Sequence, residues 1–456
     1  MMALAVYARG NAREAALCVS GQSATKASLK AIAVSGHREY ESAMTSLLQR
    51  RAGQLQGSVV YLTQEPSKMD LGMAWREGLY GVVYLKGENL KAVKVDNASA
   101  SANFPELDVS QVDNWKCPHM WHGKNEFFSL PPALQSYLSH DVSQWYSNTC
   151  KDSRDHTEWW RKMLFEYQSC PVQQGRPSTL NLAVRADVLA GQRAHPGLPG
   201  RTADTIYMAL AYALVGRVWC DRNLVFEPRT EAGIGRGHNV GALLVSPKNR
   251  ILAWGVNLST TLNNATYHAE TVMIQNYLER TGNKALPEDS KIYTTLQPCY
   301  MCAGFIATVG KTVKVVYGQV DAVGGGPLQA VQSTSQYLRN VNYDTGTELK
   351  TRLDADLKAG RVKGVIDFLY TAKAREVLNQ AEKRPATLQK ILTHLSESPP
   401  SYADLPKHLQ HLDLARKPKQ QGPRIRPEIS PTEPMLAALK DGMDLLEGIR
   451  KVGTIP

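Results

Sequence analysis

Four residues in the second half of the chain carry side chains that could hold a metal ion and move a proton. His268 and Glu270 lie in the stretch TYHAE, and Cys299 and Cys302 lie in QPCYMC. One imidazole and two thiolates are typical zinc ligands, and three protein ligands leave a fourth position for water. Zinc lowers the pKa of such a water towards neutrality, which makes a nucleophile available. Glu270 could carry the proton from this water to a leaving group.

The sequence around these residues predicts the elements that position them. HAETVMIQNYLER has apolar residues at helical spacing and neither proline nor glycine, which predicts a helix that starts at His268. CYMCAGFIATVG predicts a second helix from Cys299, with Pro298 just ahead of it, where proline is tolerated. Residues three apart share a helix face, so both sulfurs can reach one ion. The intervening KIYTTL predicts a strand, and the whole combination is much more specific than an isolated pair of cysteines.

These motifs resemble those of the zinc-dependent deaminases that act on nucleobases. The resemblance runs from about residue 204 to residue 335. AYALVGRVW resembles the first helix of the family, NVGALLVSPKNRILAWGVN its first hairpin, and KIYTTL and VKVVYG its next parallel strands. The motif sequences HAE, TLxPCxMCAG and VVYGxxD are most similar to those of the tRNA adenosine deaminase branch. The resemblance implies an α/β fold: a three-layer α/β/α domain with a central mixed sheet.

The same resemblance implies a role for each motif residue. His268, Cys299 and Cys302 would hold one zinc ion per chain, and Glu270 would act as the catalytic proton shuttle. Asn257 stands in GVN, at the end of the second strand, and would hydrogen-bond the substrate base. Ala269 would also belong to the substrate-binding site.

An N-terminal stretch repeats the plan of the motif region. His37-Arg38-Glu39 stands where the later copy has HAE, VVYLTQEPSKMD stands for IYTTLQPCYMC, and VVYLKG stands for VVYGQV. Ser67 and Asp70 replace the two cysteines. Because serine is a poor zinc ligand and one histidine with one carboxylate makes a weak site, we expect this copy to be metal-free and inactive.

The two copies divide the chain into four predicted regions. Residues 1–95 would form the degenerate, metal-free deaminase-like domain, and 96–200 a tryptophan-rich, mainly helical linking region. Residues 201–385 would form the catalytic zinc deaminase domain, and 386–456 a basic, proline-rich tail with a terminal helix. Relatives of the tRNA-editing branch work as dimers, so the two copies would form an intramolecular pseudo-dimer. Further homo-oligomers stay open.

Composition limits the partners and the compartment. The 456 residues include 53 Lys and Arg against 42 Asp and Glu, a formal net charge of +11, which favours anionic partners such as nucleic acid. The seven cysteines are too few and too scattered for a disulfide framework, which indicates a reducing cytoplasm. No apolar run reaches about 18 residues and no signal peptide is recognisable, so no membrane partner is expected.

The leading hypothesis for function is hydrolytic deamination of a base within a polynucleotide, foremost adenosine to inosine in tRNA. The basic balance, the extra domains and the motif wording favour a polymer, whose target base must be unstacked in a loop or a single strand. Two other reactions stay open: cytosine-to-uracil deamination of single-stranded DNA or RNA, and deamination of a free nucleoside or nucleotide. A non-catalytic nucleic-acid-binding module is a fourth hypothesis, and the intact metal motif argues against it.

Overall fold

The chain forms two compact units. The first comprises Met1–Pro177 with Asn263–Thr266, and the second comprises Ser178–Leu262 with Tyr267–Pro456. The computed structural model describes residues 14–20, 28–36, 40–50, 54–86, 89–95, 106–108, 172–174, 187–218, 238–259, 264–321, 338–340, 345–397, 412, 415–416, 429–430 and 433–452.

The first unit is built on a seven-stranded mixed sheet with the strand order β6-β5-β4-β3-β1-β2-β7. Strands β3 and β4 run parallel, as do β2 and β7, and the other neighbouring pairs run antiparallel. Helix α1 connects β2 to β3, and helix α2 connects β3 to β4. The bounds are β1 Ala15–Ser20, β2 Ser28–Val34, α1 Ala43–Arg50, β3 Val59–Leu62, α2 Lys68–Arg76, β4 Gly81–Lys86, β5 Asn89–Lys94, β6 Glu106–Asp108 and β7 Val172–Gln174.

The second unit is built on a five-stranded mixed sheet with the strand order β12-β11-β10-β8-β9. Strand β8 pairs antiparallel with both β9 and β10, and strand β11 pairs parallel with both β10 and β12. A short two-stranded pair, β13 with β14, lies outside this sheet. The bounds are α3 Asp187–Ala190, α4 Gly200–Arg217, β8 Gly241–Val245, β9 Ile251–Val256, α5 Ala269–Thr281, β10 Lys291–Leu296, α6 Tyr300–Val309, β11 Lys314–Gln319, β12 Leu338–Asn340, α7 Thr345–Lys358, α8 Val365–Phe368, α9 Ala372–Glu397, β13 Ala415–Arg416, β14 Ile429–Ser430 and α10 Glu433–Val452.

The two sheets share one arrangement of four strands. Strands β2-β1-β3-β4 of the first unit have the same order and the same relative directions as β9-β8-β10-β11 of the second. In each set, counted in chain order, a helix joins the second strand to the third, and another helix joins the third strand to the fourth. The sets differ at the fifth strand, because β5 pairs antiparallel with β4 whereas β12 pairs parallel with β11.

Helices cover both faces of the second sheet. Gly241 pairs with Val256, so the neighbouring Gly255 points to the opposite face. A Cβ atom at Gly241 would lie 2.8 Å from Val215 of α4, whereas one at Gly255 would lie 2.3 Å from the carbonyl oxygen of Ala269 in α5. Helices α4 and α5 therefore pack on opposite faces of the sheet, which confirms a layered α/β arrangement in this unit.

A buried carboxylate fixes the strand that leads to the cysteine motif. Asp204 of α4 accepts hydrogen bonds of 2.8 Å from Lys291 Nζ and from Tyr293 Oη at the start of β10. Tyr293 is fully buried, as are Trp254 of β9 and Phe305 of α6, so the sheet is held by aromatic side chains in its core. The direction of β10 towards residue 299 is thus set by both a polar and an apolar contact.

Several predicted elements are confirmed. The predicted hairpin, the strands KIYTTL and VKVVYG, and both motif helices are present, and the first helix is longer than AYALVGRVW. Helix α9 continues through Pro385, where a domain boundary is predicted. Two strands, β6 and β7, come from the region predicted to be mainly helical; most other residues of that region lie outside the described part. Among the described helices, none is both long and apolar enough to cross a membrane.

Candidate active site

His268 lies at the start of helix α5. It is the N-cap residue, with φ −71° and ψ 163°, so the first residue of the helix is Ala269. The preceding residue, Tyr267, accepts a hydrogen bond of 2.9 Å at its carbonyl oxygen from the backbone N–H of Leu258. This bond ties the entry of α5 to the segment that follows β9.

The two cysteines lie at the start of helix α6, directly after strand β10. Cys299 is the N-cap residue of this helix and Cys302 is three residues further on. Residues at these two positions face the same side of the first turn. Cys302 is fully buried and Cys299 is 5% exposed, so little bulk water reaches the sulfurs.

The three side chains form a group that fits a tetrahedral zinc ion. The Nδ1 atom of His268 lies 3.4 Å from Sγ of Cys299 and 3.6 Å from Sγ of Cys302. Tetrahedral ligands at ordinary zinc–sulfur and zinc–nitrogen bond lengths would place these atoms about 3.6 Å apart. Within the described part of the chain, no other group of three or more His, Cys, Asp or Glu side chains has ligand atoms close enough for one ion.

The protonation of the two buried thiols depends on whether a cation is bound. Burial raises the pKa of the Cys302 thiol well above its ordinary value, and the neighbouring Cys299 raises it further. A bound divalent cation reverses this balance, because a coordinating thiol is deprotonated outright. Two thiols and an imidazole with ligand atoms within 4.8 Å of one another form a donor set that suits zinc.

Glu270 lies beside the predicted metal ligands without being one of the three. Its Oε2 atom is 3.5 Å from Sγ of Cys302, and its Oε1 atom is 3.1 Å from Oγ1 of Thr294. The carboxyl group is only 3% exposed. Burial raises its pKa above the usual range, and the neighbouring Cys299 adds to the increase. A buried carboxyl group next to the predicted ligands is placed where a proton carrier is required.

The two residues predicted to bind the base lie close in sequence to these groups. Asn257, 2% exposed, directly follows strand β9, and its Oδ1 accepts hydrogen bonds from the backbone N–H and the hydroxyl of Ser259, at 2.9 and 2.6 Å. Ala269 is fully buried as the first residue of α5. Their roles in binding a base stay predictions.

The corresponding positions of the first unit hold a hydrogen-bonded carboxylate. Ser67 is the N-cap residue of α2. Asp70 accepts hydrogen bonds from the backbone N–H and from the hydroxyl of Ser67, at 2.9 and 2.7 Å. Ser42 donates a further hydrogen bond to the other oxygen of Asp70. Hydroxyl and amide donors thus occupy both oxygens of a side chain that is 2% exposed. His37 and Glu39, the other two residues predicted here, lie outside the described residues.

Two threonines contact the site and were not among the predicted residues. Thr294 of β10 contacts Glu270, and the hydroxyl of Thr271 lies 3.7 Å from Sγ of Cys302. In the sequence, only their positions close to the motif residues could have indicated that they contact the site. Since both faces of β10 are buried, the alternation of polar and apolar residues could not show where Thr294 points.

Comparison with known proteins identifies a matching family model and several relatives. The family model for the cytidine and deoxycytidylate deaminase zinc-binding region matches residues 227–319, which include all four motif residues. The tRNA-specific adenosine deaminase of Rickettsia bellii is 33% identical over 126 residues, which cover 27% of this chain and 83% of the relative. The enzyme of the same name from Rickettsia felis is 36% identical, with 24% and 75% covered.

Two further comparisons have smaller coverage. The tRNA-specific adenosine deaminase of Agrobacterium fabrum is 36% identical over 97 residues, which cover 21% of this chain and 62% of the relative. A solved structure from a study of A-to-I editing by tRNA:A34 deaminases is 34% identical and covers 20% of this chain and 67% of that one, with a TM-score of 0.18.

Proposed function

Because this chain belongs to the tRNA adenosine deaminase branch of the zinc-dependent deaminases, we propose that it converts adenosine to inosine within tRNA by hydrolysis. The observation that carries the proposal is the cluster of His268, Cys299 and Cys302 with the carboxylate of Glu270 beside it. Three metal ligands and an adjacent proton carrier are the parts that hydrolytic removal of an exocyclic amine requires.

The metal site supplies one part of this chemistry. His268, Cys299 and Cys302 would hold the zinc ion, which would supply an activated water at neutral pH. Both cysteines must stay reduced to serve as ligands, which is consistent with the reducing cytoplasm expected from the composition.

Glu270 moves the protons. It takes a proton from the attacking water and delivers one to the leaving amine, so that ammonia departs. Its burial keeps bulk water away from the carboxyl group. The contact with Thr294 holds the carboxyl group in one orientation.

Adenosine in tRNA is the proposed substrate for two reasons. The two relatives that this chain matches over most of their length are both named tRNA-specific adenosine deaminase. The chain also carries a formal net charge of +11, which favours association with a polyanion. The exocyclic amine of a stacked base is out of reach of a buried site, so the target nucleotide lies in a loop of the RNA.

The first unit is proposed to be a degenerate deaminase-like copy that forms an intramolecular pseudo-dimer with the catalytic domain. Its four matching strands and two connecting helices support this view. Ser67 and Asp70 stand at the cysteine positions and form hydrogen bonds with each other, which argues against a metal there. Fusing both copies in one chain fixes their effective concentration. The domain limits at residues 95, 200 and 385 belong to this proposal.

A comparison of substrates tests the function. The purified chain is incubated with total tRNA, single-stranded DNA and free nucleosides, and the digested products are analysed for inosine and uridine by mass spectrometry. We expect inosine from tRNA, loss of the activity after zinc is removed with a chelator, and recovery when zinc is returned. Conversion of cytosine, or a strict preference for free nucleosides, would instead support one of the two alternative reactions.

A further inference from the structure

A short segment just ahead of His268 is held by the first unit. Asn263–Thr266 is counted with the first unit, although the residues on both sides of it belong to the second. Asn264 donates from Nδ2 to the carbonyl oxygens of Leu48 and Gln49, at 3.3 and 3.1 Å. Asn264 is 4% exposed, so these bonds form away from bulk water.

The contacts satisfy backbone groups that a helix leaves unpaired. Leu48 and Gln49 lie in the last turn of α1, where the final carbonyl groups have no partner within the helix. At the end of α2, the C-cap residue Glu77 accepts a hydrogen bond of 3.0 Å at Oε1 from the backbone N–H of Ala265. The segment is therefore anchored at the C-terminal ends of two helices.

The anchor continues towards the metal ligand through the segment itself. Oδ1 of Asn264 accepts hydrogen bonds from the backbone N–H and the hydroxyl of Thr266, at 2.9 and 2.6 Å. Thr266 is fully buried, and the next residue, Tyr267, is bonded to Leu258. His268 follows directly, so few rotatable bonds separate the anchored asparagine from the imidazole.

We infer that Asn264 and Glu77 are positioning residues for the zinc site, because their contacts fix the segment that leads directly to His268. A ligand whose backbone is fixed loses less conformational entropy when it binds the ion, and the zinc affinity rises accordingly. The inference rests on the zinc site of the proposed function and is independent of which base or polymer is the substrate.

An asparagine that makes the same kind of contacts elsewhere in the chain provides a matched control. Asn249 also donates from Nδ2 to two carbonyl oxygens, those of His195 and Leu198, at 3.1 and 3.3 Å. Asn264→Asp and Asn249→Asp each keep the shape of the side chain and replace an amide donor by an oxygen that faces two carbonyls. Both variants should lose stability, but only the first should affect the metal.

The test measures metal binding and not turnover. Zinc affinity is determined for the full chain by competition with a chromophoric chelator, and the absorption of the cobalt-substituted protein reports the thiolate–metal geometry. We expect Asn264→Asp to bind zinc about 10- to 100-fold more weakly, with an altered cobalt spectrum. Asn249→Asp should keep the affinity and spectrum of the unchanged chain. Equal affinity in all three proteins, or an equal loss in both variants, would overturn the inference.

A second pair of variants covers the case in which Asn264→Asp does not fold. Glu77→Gln keeps an acceptor oxygen for the N–H of Ala265, and Glu77→Leu removes it. We expect weaker zinc binding in Glu77→Leu and restored binding in Glu77→Gln. The same affinity in both would contradict the role assigned to Glu77. Since neither readout involves a substrate, a negative result here would leave the proposed reaction to its own test.

Discussion

Ser67 and Cys299 occupy the same backbone position in two separate strand–helix–strand units. Each is the N-cap residue of a helix that joins two parallel strands, with φ and ψ of −69° and 165° at Ser67 and of −70° and 171° at Cys299. Asp70 and Cys302 follow three residues later in their respective helices. The backbone at these positions is therefore alike, and the side chains decide which unit can hold a metal.

This relationship predicts the zinc content of two variants. Cys299→Ala removes a thiolate ligand and should lose the zinc ion, whereas Ser67→Ala should keep one zinc ion per chain. Ser67→Ala should cost about 1 kcal/mol of unfolding free energy, because it removes an N-cap hydrogen bond. Elemental analysis and chemical unfolding measure both quantities. Two zinc ions per chain in the unchanged protein would contradict the assignment of the first unit as metal-free.

Exchange of Glu270 separates chemistry from metal binding. Glu270→Gln should keep zinc, folding and RNA affinity, because the residue contacts the ligands without being one of them. The turnover rate should fall by about 10²- to 10⁴-fold, as expected when a general acid–base group is removed. Glu39→Gln is the matched control, since Glu39 stands at the same place in the first copy of the motif. An unchanged rate in Glu270→Gln would rule out its role as proton carrier.

The close approach of strand β9 to helix α5 predicts an effect of one methyl group. At Gly255, a Cβ atom would lie 2.3 Å from the carbonyl oxygen of Ala269 and 2.6 Å from the backbone nitrogen of Met273. Gly255→Ala should therefore displace the start of α5, cost about 1–3 kcal/mol of unfolding free energy and weaken zinc binding.

Gly200→Ala is the control for that substitution, because a Cβ atom at Gly200 would meet nothing within 4 Å. We expect its zinc affinity to match that of the unchanged chain, and its unfolding free energy to stay the same or to rise by up to about 1 kcal/mol, because alanine restricts the unfolded chain more than glycine does. If Gly255→Ala also matched, the backbone contact would not be what fixes the start of α5.

A buried carboxylate in the C-terminal helix, paired with a largely exposed arginine, predicts a dependence of stability on pH. Asp441 of α10 accepts hydrogen bonds from the backbone N–H and the guanidinium of Arg193 and lies 3.0 Å from Nε2 of His195. Burial acts to raise the pKa of Asp441, but the hydrogen bonds and charge of Arg193 outweigh it, so the pKa lies below its usual value. The contribution of Asp441 to stability is thus present above its unfolded pKa of about 3.9 and is lost as the pH falls through its folded pKa.

Asp441→Asn tests this dependence. The variant should be less stable by about 1.5–3 kcal/mol near neutral pH, the usual value for a hydrogen bond to a charged group. The difference in unfolding free energy between the two proteins should begin to shrink below about pH 4, where Asp441 becomes protonated in the unfolded chain, and should be lost as the pH falls through the lower folded pKa. A difference that stayed constant from neutral to acidic pH would contradict a pairing that depends on ionised Asp441.

The sequence was enough to predict that His268, Cys299 and Cys302 come together, but not the contacts that fix the chain ahead of His268. His268, Cys299 and Cys302 lie at helix starts that local patterns indicate, so their convergence follows from the order of strands and helices. Asn264 and Leu48 are 216 residues apart in the chain, and no local pattern links them. The hairpin of β1 and β2 was also missed, because AALCVS and SLKAIAV have few of the β-branched and aromatic residues typical of strands.

The origin of the oxygen in the product tests the central claim most directly. The zinc-loaded chain is incubated with tRNA in water enriched in ¹⁸O, the RNA is digested, and the inosine is analysed by mass spectrometry. Hydrolytic deamination predicts inosine that carries one ¹⁸O atom at the ring carbon that bore the amine, with little or none formed by Glu270→Gln. Absence of inosine, or inosine without the label, would contradict the proposal that this chain deaminates adenosine in tRNA by hydrolysis.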